Sequence, residues 1–215
     1  MTAAVDVWVS EIREYPRINA EVVRLLNLGV PLVRLRATEG QRLLLARLRG
    51  DWSAVIEIEG NAGPELAAEL EAPQLKVVCR GPAMDGAGRG LKSGELYILG
   101  NAGEAVGMVQ SGGLILVAGS AGARAGLRQR GGSIVLLGPT GRLTGERQSG
   151  GSLFAIKGKL GPFAGHARTG GRLAILEESE EAGSFGGIMD VEDRGEFSAI
   201  IRQLRQFEAN DPGVV

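Results

Sequence analysis

The chain has 215 residues, a formal net charge of −1 and one cysteine, so it forms one domain or one domain with appendages, and no internal disulfide. Hydrophobic residues make up 44%, enough for a sizeable core, and the balanced charge excludes a global preference for nucleic acid or an anionic membrane. No apolar run approaches the roughly 18 residues of a membrane span, the N-terminus lacks a basic stretch followed by an apolar one, and the single Cys79 fits a reducing compartment, so the sequence reads as cytoplasmic.

Residues 1–53 read as a small α/β cap. Asn19 suits a helix N-cap, the run AEVVRLLNL follows it, and Gly29 supplies a C-terminal stop. Residues 31–36 alternate in polarity and predict a strand. The apolar stretch 43–48 fits either a helix or a strand.

From residue 54 to 177 the chain repeats itself, and glycine marks the register. Gly100, Gly119 and Gly138 form one column, and Gly103, Gly122, Gly141 and Gly161 a second. Gly88, Gly107, Gly126, Gly145 and Gly165 form a third. The pairs Gly112-Gly113, Gly131-Gly132, Gly150-Gly151 and Gly170-Gly171 form a fourth, with Ser93-Gly94 as its earlier member. The offsets are 19, 19 and then 20 residues, so one extra residue enters near Lys157. Of 35 glycines, 25 lie between Gly81 and Gly171, so the excess belongs to the repeat and not to linkers. Helical repeats would not tolerate it, because each interior glycine costs roughly 1 kcal/mol relative to alanine. Chain corners need positive φ, which glycine reaches without a Cβ penalty.

A short repeat cannot bury its own apolar face, so each copy must stack on the next as one coil of a longer body. After each glycine pair, at 95–99, 114–118, 133–137, 152–156 and 172–176, comes a run with strand character. Its second residue is Leu96, Ile115, Ile134, Leu153 or Leu173, and its fourth is Ile98, Val117, Leu136, Ala155 or Ile175. Alternate residues of a strand share a face, so both columns should line an interior. The third residue is Tyr97, Leu116, Val135, Phe154 or Ala174, and it should point outward. An outward apolar ladder requires a cover. Tyr97, Leu116, Val135 and Phe154 are therefore candidate interface residues, covered either by a C-terminal helix or by another subunit. An earlier, decayed coil is traced by Gly60, Gly63, Ala67 and Pro73 against Gly81, Met84, Gly88 and Gly94, with Leu75 and Val77 inside. Before it, Val55, Ile56 and Ile58 read as one more strand. Stacked strands in register predict an all-β dominated parallel β-helix of about six to seven coils.

Residues 178–215 read as an acidic linker and a helix. Residues 177–196 hold eight acidic side chains against Arg194 alone. Phe197, Ile200, Ile201, Leu204 and Phe207 then recur at helical spacing, an amphipathic helix of about three turns that folds back on this chain or docks on a partner. Between residues 119 and 173, nine arginines and lysines (Arg124, Arg128, Arg130, Arg142, Arg147, Lys157, Lys159, Arg168 and Arg172) face Glu146 alone. This is a solvated face balanced by the acidic tail, or a docking surface for an acidic partner. Nucleic acid is disfavoured because no aromatic side chains are interleaved for stacking.

The search for chemistry assigns no catalytic, cofactor-binding or metal-binding residue. His166 is the only histidine and sits where other copies have Met108, Leu127 and Glu146, which reads as a tolerated variant. Cys79 lies in a predicted strand and reads as a small buried hydrophobe. The recurring glycines lack the strand–loop–helix context and trailing Lys-Ser/Thr of a phosphate loop.

The columns GNAGEAVGMVQSGGLILVAG and GSAGARAGLRQRGGSIVLLG strongly resemble the GXGXG domain, found at the C-terminal end of the glutamate synthase large subunit and as a separate polypeptide. Asn19-Ala20-Glu21, Gly40-Gln41-Arg42 and Ile58-Glu59-Gly60-Asn61-Ala62-Gly63 followed by Leu66-Ala67 resemble the residues leading into the stand-alone form, so the likeness covers about residues 18–177. It implies a right-handed β-helix that binds no cofactor itself. It also implies a scaffold that holds glutaminase and FMN/iron–sulfur synthase parts in register within a multisubunit oxidoreductase. The same repeat is similar to the glycine-repeat structural subunit of formylmethanofuran dehydrogenase and of the related formyltransferase/hydrolase complex, where it stands beside metal-dependent partners. A self-associating structural β-helix is a further reading. Departures are the short acidic-plus-helix tail and Met84 in a glycine column.

Overall fold

The computed structural model describes residues 4–156, 159–178, 185–186, 201–202 and 205–206. Lys157, most of the acidic segment, and Phe197, Ile200, Leu204 and Phe207 lie outside the described residues. The chain is a parallel β-helix. Its strands β1 (Val5–Trp8), β2 (Leu32–Arg36), β3 (Ala54–Ile58), β4 (Glu71–Cys79), β5 (Ser93–Ile98), β6 (Ser111–Val117), β7 (Arg130–Leu136), β8 (Gly150–Ile156) and β9 (Arg172–Glu178) follow one another in chain order through one sheet. Each pairs in parallel with the next, and a two-residue β10 (Phe185–Gly186) runs antiparallel on β9. The register follows the columns of the sequence: Val78, Tyr97, Leu116, Val135, Phe154 and Ala174 are successive partners.

The stack begins earlier than residue 54. Leu32 pairs with Val55 and Leu35 with Ile58, and residues 42–47 form the first of seven corners, followed by 64–69, 85–90, 104–109, 123–128, 142–147 and 162–167. The stretch 43–48, open between helix and strand in the sequence, is thus neither. In each corner every second residue takes positive φ: Leu43, Leu45 and Arg47 in the first, Gly86, Gly88 and Gly90 in the third, Arg124, Gly126 and Arg128 in the fifth. The outer two of these donate their N–H to the following coil, as Arg124 does to Arg142 (2.9 Å) and Arg128 to Glu146 (2.8 Å). The middle one donates back, as Gly126 does to Val106 (2.8 Å). Each corner between the first and the last is therefore hydrogen-bonded on both sides, which is why residues as unsuited as Val109 or Leu143 remain left-handed there.

The repeat glycines serve two purposes, and the sequence exposes only one. Gly126 and Gly145 are left-handed, with φ of +70 and +71°. Gly131 is not left-handed, but a Cβ on it would stand 2.4 Å from the Ser111 carbonyl oxygen of the preceding coil. Gly100, Gly119, Gly122, Gly138 and Gly141 are required in the same way, each abutting the backbone of the coil before it.

The interior is the second- and fourth-column cluster expected from the alternation: Leu96, Ile98, Ile115, Val117, Ile134, Leu136, Leu153 and Ala155 are all buried. Ile175 departs from that column, being 45% exposed in the last strand β9, and Leu173 is only partly buried. Inside the coil a polar rail runs beside the apolar core. Gln129 Nε2 donates to Gln110 Oε1 (3.1 Å) and Gln148 Nε2 to Gln129 Oε1 (2.9 Å). Each amide also donates to a glycine carbonyl of its own coil. Arg168 takes the next rung and donates from Nη2 to the Gly171 carbonyl (2.8 Å).

The N-terminal end is closed by α2 (Tyr15–Asn27), which follows a short α1 (Val9–Ile12). Helix α2 starts four residues before the expected N-cap, because Pro16 fits its first turn. Gly29 is the stop: at φ +75° it donates to Leu26, and Val30 to Leu25, a Schellman ending. Asn19 lies inside the helix, buried, and not at its start. Its Oδ1 accepts the Leu45 N–H (2.8 Å) and its Nδ2 donates to the Leu43 carbonyl (3.0 Å). Leu45 is the middle residue of the first corner, whose N–H has no preceding coil to bond. Asn19 stands in for that coil.

Asn19→Ala leaves a buried N–H and C=O unpaired and is expected to lower the unfolding free energy by about 2–4 kcal/mol. Asn19→Asp, which keeps the acceptor, should lose less in the same urea titration. Gly145→Ala meets nothing nearer than 3.8 Å and should cost about 1–2 kcal/mol for its left-handed φ. Gly131→Ala should cost about 4 kcal/mol or more, and equal losses for the two glycines would refute the close-approach explanation.

Candidate functional site

The outward ladder proves to be covered. Tyr97, Leu116, Val135 and Phe154 are each 0% exposed. With Val78, Ile156, Ala174 and Leu176 they form a second apolar cluster on the outer face of the sheet, and Ile201 packs into it. Residues 201–202 and 205–206 are helical, with Ile201 buried and Arg202, Arg205 and Gln206 exposed, so the described part of the C-terminal helix faces its own chain. The four residues expected at an interface are therefore part of this chain's core. Tyr97 donates to Glu95 Oε2 (2.8 Å). Burial first, then the Glu95 carboxylate, holds its hydroxyl far above the ordinary range.

The two chemistry-bearing side chains stand apart. Cys79 is buried in β4, with its thiol 3.3 Å from the Gly81 carbonyl. Burial pushes the thiol from 9.0 up to about 11, the opposite of what a nucleophile needs. His166 is exposed in the last corner, and its carbonyl accepts from Arg147. Among the described residues no three His, Cys, Asp or Glu side chains come together to hold a metal, and no helix is long and apolar enough to cross a membrane.

Two cavities among the described residues bear on function. The larger, about 900 Å³, lies beside α1 at the N-terminal end, and Gly40, Gln41 and Arg42 of the sequence resemblance line it. Its wall includes Arg13, Ala37 and Glu39, which among the described residues are the left-handed non-glycine residues outside the corners. Arg13 and Arg42 face Glu39 and Glu65 there, so its walls carry both charges without excess of either. The smaller, about 390 Å³, is shallow and lies on the basic side of the last coils, lined by Arg128, Arg130, Arg147, Ser149, Ala167 and Thr169.

Charge is distributed unequally along the solenoid. In the first coils, acids and bases meet across neighbouring coils: Arg34 with Glu57 (3.0 Å), Arg80 with Glu57 (2.9 Å), Arg89 with Glu65 (3.2 Å), Lys92 with Glu71 (3.1 Å) and Lys76 with Glu95 (3.1 Å). Between residues 119 and 173 the one acid is Glu146. Glu146 bonds Arg124 at 3.2 Å and lies 3.9 Å from Arg147. Arg128, Arg130 and Arg142 have no side-chain partner among the described residues. The basic run was legible in the sequence, but the convergence of Arg128, Arg130 and Arg147 with Ser149 and Thr169 was not. It follows from the one-coil offset, which sets Arg128 beside the 146–147 corner and pairs Arg130 with Gly150, next to Ser149.

Compared with known proteins, the chain matches no family model, no curated protein and no solved structure.

The raised Cys79 thiol has a consequence for stability. Above pH 9 the unfolded thiol ionises while the buried one stays neutral until about 11, so the unfolded state holds fewer protons and stability falls with rising pH. Urea midpoints should drop more steeply between pH 9 and 11 for the natural chain than for Cys79→Ala; parallel curves would contradict the burial.

Proposed function

We propose that this chain is a non-catalytic scaffold subunit like the GXGXG domain of glutamate synthase. In this reading it holds glutaminase and FMN/iron–sulfur synthase parts at a fixed separation in a cytoplasmic oxidoreductase complex, and the cofactors belong to those partners. The observation that carries the reading is the uninterrupted stack. The columns that resemble the family keep register strand by strand from β3 to β9. Nine parallel strands spaced about 4.8 Å apart give a body about 38 Å long, a span suited to separating two catalytic parts. The glycines of every coil are occupied in turning the chain or admitting the neighbouring backbone, and the core is shared by all coils without a break. Rigidity, the property a spacer needs, follows from this continuity.

A second reading, self-association, draws on Phe163, 70% exposed, and Ile175, 45% exposed, in the last coil. The structural glycine-repeat component of a formylmethanofuran dehydrogenase or formyltransferase/hydrolase complex is the remaining alternative, and partner identity separates it from the first.

Affinity purification of the chain from its native cells should recover glutaminase and flavin- and iron–sulfur-containing polypeptides at fixed stoichiometry, with flavin absorbance in the eluate. Metal-dependent formyl-transferring partners would favour the alternative. A protein that elutes as a pure homo-oligomer would support self-association, and recovery as a lone monomer would overturn the scaffold reading.

A further inference from the structure

We propose that the shallow cavity between Arg128, Arg130 and Arg147 binds a phosphate-class oxyanion. Arg128 and Arg147 occupy the same corner position in successive coils and share the same left-handed φ of 54 and 53°. Their side chains therefore leave the solenoid in parallel, about one strand spacing of 4.8 Å apart. Like charges stacked this way repel. Elsewhere the solenoid avoids the conflict: in the same corner column, Arg47 meets Glu69 of the next coil. Among the described residues Arg128 and Arg130 meet no such acid, and Glu146, 3.9 Å from Arg147, makes its closer contact with Arg124 at 3.2 Å. The cavity spans three coils, and Ser149 and Thr169 add hydroxyl donors to the guanidinium forks.

The chemistry of the lining selects the ligand. All three cations are arginines, whose planar forks match the oxygens of phosphate bidentately. The only other lining residue is Ala167, so there is no aromatic or aliphatic anchor of the kind a protein segment uses, and no ring on which a base would stack. A small, multiply charged oxyanion meets these donors without needing either. The site is separate from the scaffold reading and does not depend on it.

Titration calorimetry of the full chain with inorganic pyrophosphate, at about 50 mM salt to limit screening, tests the proposal. Saturable binding is expected, weakened at least tenfold by Arg128→Gln/Arg147→Gln and less than twofold by Arg142→Gln, an unpaired arginine outside the cavity. Arg130→Glu, which leaves the corner untouched, should abolish binding with an unchanged melting curve, and it carries the test if the double variant does not fold. Inorganic phosphate should compete. Absence of binding at millimolar pyrophosphate, or equal losses in Arg142→Gln and the double variant, would overturn the site. Tighter binding of a hexaglutamate peptide than of pyrophosphate would assign the surface to an acidic protein segment instead and would also overturn it.

Discussion

The structure depends on backbone touching backbone. Successive coils are stacked at strand spacing, so at the glycines that abut the preceding backbone there is no room for a side chain between one coil and the next. The Gly131 and Gly138 positions, with neighbouring carbonyl oxygens 2.4 and 2.3 Å from where a Cβ would be, show how little space is left. The same closeness makes the alternating left-handed corners possible, because in the corners between the first and the last each strained residue donates a hydrogen bond to the coil before or after it. Strain that would be costly for one turn is shared by the whole stack.

A stack of this kind is satisfied in its middle and exposed at its ends. At the N-terminal end, α2 closes the apolar core and Asn19 supplies the acceptor and the donor that a missing coil would have given. The glutamine rail solves the equivalent problem for the interior. Gln110, Gln129 and Gln148 pass one amide bond along the axis, and the rail stops at Gln148 Oε1, which is buried beside the Arg168 rung; neither it nor Arg168 Nε has a hydrogen-bond partner among the described residues. The ion pairs on the outside contribute less, since most are partly exposed and such pairs are worth little individually. Their pattern still separates a matched N-terminal half from an unmatched, arginine-rich one.

The period, the inner columns and the strand register were legible because glycine recurs at fixed offsets and the apolar residues alternate with it. Three features were hidden for physical reasons. The first corner carries Leu45 at its middle position, where most later copies carry glycine, so the repeat's own signature is absent from its first copy. The double role of Asn19 depends on a contact 26 residues away in sequence, invisible to a local capping rule. Tyr97 and Phe154 share one buried cluster with Ile201, which local alternation cannot link to them. For the candidate anion site, the arginines were visible as composition, whereas their convergence required knowing which residues stack.

The corner ladder also dictates how such a body can change its size. A single residue inserted within a corner or a strand would displace the left-handed positions and the glycines from their neighbours above and below at once, whereas the extra residue near Lys157 falls between a strand and a corner and leaves β8 and β9 in register. A whole added coil would disturb none of them, because every middle coil presents the same bonds on both sides. Length is therefore quantised: the solenoid can be extended or shortened in steps of one strand spacing, about 4.8 Å, while its closed N-terminal end and its outer helix stay as they are. A protein built in this way resembles a ruler whose graduations are covalently fixed.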